Sequence, residues 1–206
     1  MKMSPAAALA IMLAAALAGS ALAQPAGPSR DPAQAQPGTY KVGSAHTRIV
    51  FTVSHLGFTD YYGQFNGITG QLNLDAASPA KSAVDITIPT DSVDTSNSVL
   101  NGELKDPTWF DAAKYPTITF KSVKVVRTGK DTADVIGDLT FHGVTKPVTL
   151  KAKFNAAGPH PMSKKYTIGF NASAHLKRSE FNQTKYLPLI GDDVELMISA
   201  EFEKVS

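Results

Sequence analysis

Apolar side chains recur at every second position over most of this chain, and that interval constrains its fold more than any other feature. Ile49, Phe51, Val53 and His55 alternate with Arg48, Val50, Thr52 and Ser54. The same beat returns in Val84, Ile86 and Ile88, and in Val148, Leu150, Ala152 and Phe154. It continues through Tyr166, Ile168, Phe170, Ala172 and Ala174, and ends with Val194, Leu196, Ile198, Ala200 and Phe202. An amphipathic helix needs its apolar stripe at every third or fourth residue, whereas alternation places all of these side chains on one face of an extended strand. The chain is therefore predicted to be all-β.

The breakers fall where strands must end. Thr128-Gly129-Lys130-Asp131 predicts a tight connection between a strand from Thr117 and a strand Thr132–Phe141, and His142 to Pro147 marks the next turn. Phe65 and the set Ile68, Gly70, Leu72, Leu74 cannot share a face at strict alternation, so a bulge or bend is expected near Asn66-Gly67. One section departs from the pattern: Asp91 to Lys105 together with the following Asp106-Pro107-Thr-Trp109-Phe110-Asp-Ala-Ala113 is the sole helical candidate. There Asp106 is read as an N-cap and Pro107 as first-turn proline of a brief helical piece. About eight long antiparallel strands with one short helical insertion predict an extended up-and-down β-barrel, because closure removes exposed edges. A two-sheet sandwich is the competing architecture.

The domain layout reads in three parts. Residues 1–23 have a secretory signal peptide's form: Lys2, an apolar run from Ala6 to Ala18, and Ala21-Leu22-Ala23 before Gln24. The run falls short of the about 20 residues a membrane span needs. Residues 24–38 are rich in Pro, Gln and Ala without a large apolar side chain, and are expected to form a flexible leader. Residues 39–206 are the barrel domain. Removal of Lys2 with the signal peptide lowers the formal charge from +2 to +1, which gives no reason to expect nucleic acid as a partner. There is no cysteine, hence neither a disulfide framework nor a lipidated cysteine.

Catalytic constellations are not evident. Ser78-Pro-Ala-Lys81 matches a bare Ser-x-x-Lys pattern, but its serine precedes a proline in a turn between strands, not a helix. The five histidines lack any spacing that would put two imidazoles on one face. Asp192 and Asp193 diverge as neighbours before a strand, and Glu195 and Glu201 take the solvent-facing parity. What remains is a set of inward aromatics on separate strands, Phe51, Phe65, Phe120, Phe141, Phe154 and Phe170, with Trp109 and Phe110 presented just before a strand begins. Such a set suits a pocket for an oily molecule, and equally a filled core.

Three blocks carry a resemblance to a known family. They are Phe51-Thr-Val-Ser-His55 with Gly63-Gln-Phe65; Trp109-Phe110-Asp111 with Tyr115-Pro-Thr-Ile-Thr-Phe120-Lys-Ser122; and Gly137-Asp-Leu-Thr-Phe-His-Gly143-Val-Thr-Lys146-Pro-Val. With a weaker Arg178-Ser-Glu-Phe181, the stretch from about Tyr40 to Glu203 resembles the YceI-like family of bacterial secreted lipid-binding proteins. The family pattern has glycine after Arg-x-x-Phe, where this chain has Asn182. The resemblance implies a lipocalin-like barrel enclosing a polyisoprenoid, such as an isoprenoid quinone or polyprenyl phosphate, or another long-chain amphiphile. It implies periplasmic transport or storage without catalysis, and no cofactor beyond the bound lipid. On this expectation Phe51, Val53, Phe65, Phe120, Phe141 and Phe170 line the tail, Trp109 and Phe110 cover the opening, and His55 and Arg178 meet the polar head. After cleavage no integral membrane segment is expected, contact with a membrane is transient, and homodimerisation is left open.

Overall fold

The computed structural model describes residues 27–205. The expected signal peptide and residues 24–26 lie outside them. The elements in order are β1 (Gly38–Val42), β2 (Arg48–His55), β3 (Thr59–Phe65), β4 (Thr69–Leu74), β5 (Ala83–Pro89), β6 (Val93–Asp94), α1 (Ser98–Lys105), β7 (Thr117–Arg127), β8 (Thr132–Phe141), β9 (Val144–Pro159), β10 (Tyr166–Lys177) and β11 (Ile190–Lys204).

The register reduces these eleven strands to eight staves. β1 and β2 lie end to end along β11, with Val42 opposite Phe202 and Arg48 opposite Ser199. On their other side β4 pairs with β1 and β3 with β2. Next come β5 against β4 and β6 against β3. From β5 the sheet continues through β7, β8, β9 and β10 to β11, each neighbour antiparallel. The result is a closed up-and-down barrel of eight staves with one helix, as the alternation predicts; the sandwich is excluded by closure of β1 and β2 onto β11.

The breaks in the first three staves fall side by side at 43–47, 66–68 and 90–92, and each is tied to its neighbour. The Gly43 amide donates to the Glu201 carbonyl at 2.8 Å, and the Asn66 amide to Ser92 Oγ at 3.1 Å. Thr90 Oγ1 donates to the Tyr115 carbonyl at 2.6 Å. Gly67 adopts φ 63°, which supplies the bend expected near Asn66-Gly67 and lets both Phe65 and Ile68 be buried.

Three local expectations need correction. Asp106 does not open a helix; it is the C-cap of α1, and 107–114 form turns tied back by Trp109 and Asp111 amides on the Asp106 carbonyl at 2.9 and 3.0 Å. Pro107 disfavours helical backbone at Asp106, while Asn97 caps the real start by accepting from the Val99 and Leu100 amides. The turn after β8 is two residues long, His142-Gly143, both at positive φ (49° and 75°), so Val144 to Pro147 already belong to β9. Finally, the part of the expected leader from Ser29 onward is docked on the barrel. Ser29 and Ala157 exchange backbone hydrogen bonds of 2.8 Å, Ala35 is buried, and the Tyr166 hydroxyl donates to the Gln34 carbonyl at 3.3 Å. Large apolar side chains are dispensable there because backbone pairing and one small methyl group make the contact.

The chain's direction sorts the connections between two ends. Loops 56–58, 95–116, 142–143 and 178–189 share the upper end; the docked leader, 75–82, 128–131 and 160–165 share the lower one.

Candidate functional site

Inside the barrel the apolar face splits into two buried clusters. The upper one includes Ile49, Phe65, Ile68, Ile118, Phe120, Leu139 and Phe181, and the lower one Tyr40, Leu72, Phe154, Ile168 and Phe202. Inward side chains such as Val42, Val53, Leu150 and Ile198 are only half-buried although they point into the barrel. They face a hollow. Its volume is about 550 Å³, within the range of about 300–1,000 Å³ typical of ligand sites. Its wall reaches from Tyr61, Trp109 and Tyr186 at the upper end to Leu74, Ala83 and Phe202 toward the lower end. At about 3.3 Å per residue and a tilt near 40°, a strand the length of β11 covers about 38 Å along a barrel axis, and the hollow is lined by that strand from Ile190 to Phe202.

Two rings on the wall extend over glycines. Phe51 pairs directly with Gly63, and Phe120 lies against Gly137; a β-carbon at either glycine would fall 2.2 Å or 2.5 Å from the ring's Cζ. These rings cover the wall without crossing the lumen. At the upper end a series of neighbouring rings, Phe51, Phe65, Phe110, Phe141 and Phe181, has successive centroids 5.7, 6.1, 5.2 and 6.0 Å apart, edge-on between Phe110 and Phe141 and tilted elsewhere. Above it Trp109 meets Tyr186 edge-on at 5.9 Å, and Lys185 Nζ sits 5.1 and 5.2 Å from the two ring centroids. This contact joins the 95–116 insertion to the 178–189 loop. Trp109 lines the cavity, and its Nε1 is buried without an acceptor.

Arg178 organises that loop. Its Nε donates to the Gly191 carbonyl at 2.7 Å, Nη1 to Gln183 at 2.7 Å and Nη2 to Ile190 at 2.8 Å, which commits three of the guanidinium's donors. Burial draws its pKa below the ordinary value, an effect opposed by the Asp192 carboxylate. Burial also pushes Asp192 upward, but the Ser179 amide and hydroxyl, each 2.8 Å away, together with Lys177 and Arg178, hold it below the usual carboxylate value. Gln183 completes the tie by donating Nε2 to the Trp109 carbonyl at 3.0 Å. Asn182 stands at φ 60°, ψ 19°, the left-handed conformation natural to glycine and tolerated by asparagine, so the substitution preserves the loop's course.

All ten residues singled out from the sequence, Phe51, Val53, His55, Phe65, Trp109, Phe110, Phe120, Phe141, Phe170 and Arg178, lie on the wall of this one cavity. Gln183, Glu103 and Tyr186 share the wall and were not foreseen. They sit on the helix and on an aperiodic loop, where alternation gives no cue. Among the described residues no group of three or more His, Asp or Glu side chains could hold a metal ion.

Comparison with known proteins agrees with the geometry. A family described as the YceI-like domain matches residues 40–202. Proteins called UPF0312 in Ectopseudomonas mendocina and Pseudomonas aeruginosa are 40% and 39% identical, covering 76% and 82% of this chain and 81% and 88% of their own. Burkholderia cenocepacia BcnA superposes with a TM-score of 0.71 at 25% identity, covering 78% of this chain and 98% of its own. The Campylobacter jejuni YCEI protein gives 0.65 at 30% identity, with 74% and 90% covered. A Saccharophagus degradans domain described as polyisoprenoid binding and implicated in plant cell wall breakdown shares the fold at 0.64 and 17% identity, with 82% and 100% covered.

Proposed function

This chain belongs to the YceI-like family, and we propose that it is an exported binding protein that encloses the tail of a polyisoprenoid, an isoprenoid quinone or a polyprenyl phosphate, for periplasmic transport or storage. The observation that carries this reading is the elongated hollow of about 550 Å³ with an almost wholly apolar wall. A solid core, the alternative from sequence, is at odds with that hollow. The ligand class is supported by the described binding of the Saccharophagus domain, and by physics. Each buried methylene contributes about 0.8 kcal/mol, against an association cost of roughly 4 to 15 kcal/mol, so a chain of several isoprene units is retained where a short one is not. The tail lies along Phe51, Val53, Phe65, Phe120, Phe141 and Phe170, and its polar head rests near His55, Arg178 and Trp109 at the upper end. The reading is of binding, not turnover.

The test is organic extraction of the mature protein purified from its own host, followed by mass spectrometry. A long prenyl amphiphile at near one per chain is expected. Lipid-free extracts, persisting after incubation with prenyl quinones, would overturn the assignment.

A further inference from the structure

The upper end carries a concentration of exposed apolar side chains. Phe58 is 87% exposed, Leu189 61%, Tyr186 58% and Leu56 46%. They come from two loops held together by the Leu56 amide donating to the Leu189 carbonyl at 2.8 Å. Each lies within three residues of the cavity wall: His55 and Ile190 are paired across β2 and β11 and line the hollow, as Tyr186 itself does. Tyr186 thus belongs both to the cavity wall and to the exposed tips, and the other three adjoin wall residues along the chain. Val99, 70% exposed on α1, also stands at this end, whereas Val123 lies on the outer wall and Met162 at the lower end.

Within the two loops Arg178 is buried, Lys185 is drawn onto Thr108 Oγ1 at 2.9 Å and over the Trp109 and Tyr186 rings, and Glu180 is exposed, with Asp60 at the start of β3; the adjoining 95–116 insertion adds Glu103, Asp106 and Lys114, of both signs. A protein surface is rarely so apolar at a loop tip without something to cover it. A bilayer interface suits aromatic and leucine side chains at loop tips, and it asks for no fixed complementary shape.

From this we infer that the upper end is a membrane-docking face: Phe58, Leu56, Leu189 and Tyr186 enter the headgroup–acyl boundary of a lipid bilayer and bring the cavity's mouth against it. The purpose of the face rests on the carrier reading above, but its existence is tested separately. Apolar insertion, not attraction to anionic lipid, holds it there, so binding persists in high salt.

The experiment is co-sedimentation of the mature protein with phosphatidylcholine vesicles, with and without phosphatidylglycerol, in low and high salt. The wild type is expected to partition onto both, and Phe58→Asp with Leu189→Asp to lower the partition by at least about tenfold. Val123→Asp, an equally exposed apolar site on the wall, is the control and leaves partitioning unchanged. Thermal unfolding of each variant verifies that the fold is kept. Binding of a water-soluble farnesyl fluorophore reports the cavity independently and stays at the wild-type level in both variants. Wild-type protein that ignores neutral vesicles, or a doubly substituted variant that partitions like the wild type, overturns the docking face even if the fluorophore binds. Loss of fluorophore binding in the wild type would instead remove the carrier reading.

Discussion

Phe51 and Gly63 oppose each other across β2 and β3, and the phenyl ring occupies the space that any side chain at 63 would need: its Cζ is 2.2 Å from the position of a β-carbon. The glycine therefore sets where the ring lies, and the ring in turn sets the width of the lumen. Gly63→Ala is expected to tip Phe51 inward, to cost about 1–3 kcal/mol by overpacking, and to weaken prenyl binding severalfold. Combining it with Phe51→Leu should recover much of the stability, a coupling that denaturant unfolding of the four-member cycle measures.

Arg178 is expected to matter for folding before it matters for ligand. Its loss leaves the carbonyls of Gln183, Ile190 and Gly191 short of donors in a buried setting, at a cost on the order of 3 kcal/mol. Arg178→Lys keeps the charge but not the planar fork, so it should fall close to Arg178→Ala in urea unfolding. A lysine variant as stable as the wild type would contradict this.

The only tryptophan of the chain, Trp109, lies on the cavity wall. Titration with a prenyl quinone is therefore expected to quench its emission with saturation near one ligand per chain. Trp109→Phe keeps an aromatic cover but removes the unpartnered N–H, and should reduce affinity more for a ligand with an acceptor head than for a plain prenyl hydrocarbon.

Tyr40 gives the barrel an alkaline limit. Burial, and secondarily the neighbouring Tyr166, pushes its phenol up to about 12 from 10.0. Since the folded state holds the proton more tightly, this group's contribution is complete below pH 10 and is lost as pH rises toward 12. Tyr40→Phe removes the hydroxyl's bond to the Gln36 carbonyl, lowering stability at neutral pH, but it should lack that part of the alkaline loss. Melting temperatures across the range check both signs.

Asp192 acts in the opposite sense. Its lowered pKa means that its contribution is present above the ordinary carboxylate value and disappears as pH falls through the folded one. Asp192→Asn should be less stable than wild type near neutrality and should converge with it in acid. A constant gap between the two melting curves would show that Ser179 is held by other means.

The architecture was legible because alternation reports which face of a strand is buried, and eight such runs leave closure as the economical arrangement. It also reported the lining: Phe51, Phe65, Phe120, Phe141 and Phe170 could be placed inward without knowing which strand neighbours which. Alternation does not reveal whether inward side chains meet in the middle. That depended on Gly63 and Gly137, whose value lies in what they leave out, and on strand neighbours that only the register supplies. Trp109 was singled out from sequence as an aromatic beside the barrel, but its fastening to Gln183, Lys185 and Tyr186 joins segments more than 70 residues apart. The misreading of Asp106 arose because a proline-preceding aspartate fits both the beginning and the end of a helix, and only Asn97 decides between them.

The aligned breaks at 43–47, 66–68 and 90–92 give the tube a supple front and a stiff back. From β7 to β11 the staves are 10 to 16 residues long without interruption, so that arc resists flexing, while the other three are jointed at a common level. Widening for a stouter guest is therefore expected at the joints, and amide exchange at 43–47, 66–68 and 90–92 faster than along β7 to β11 would check it.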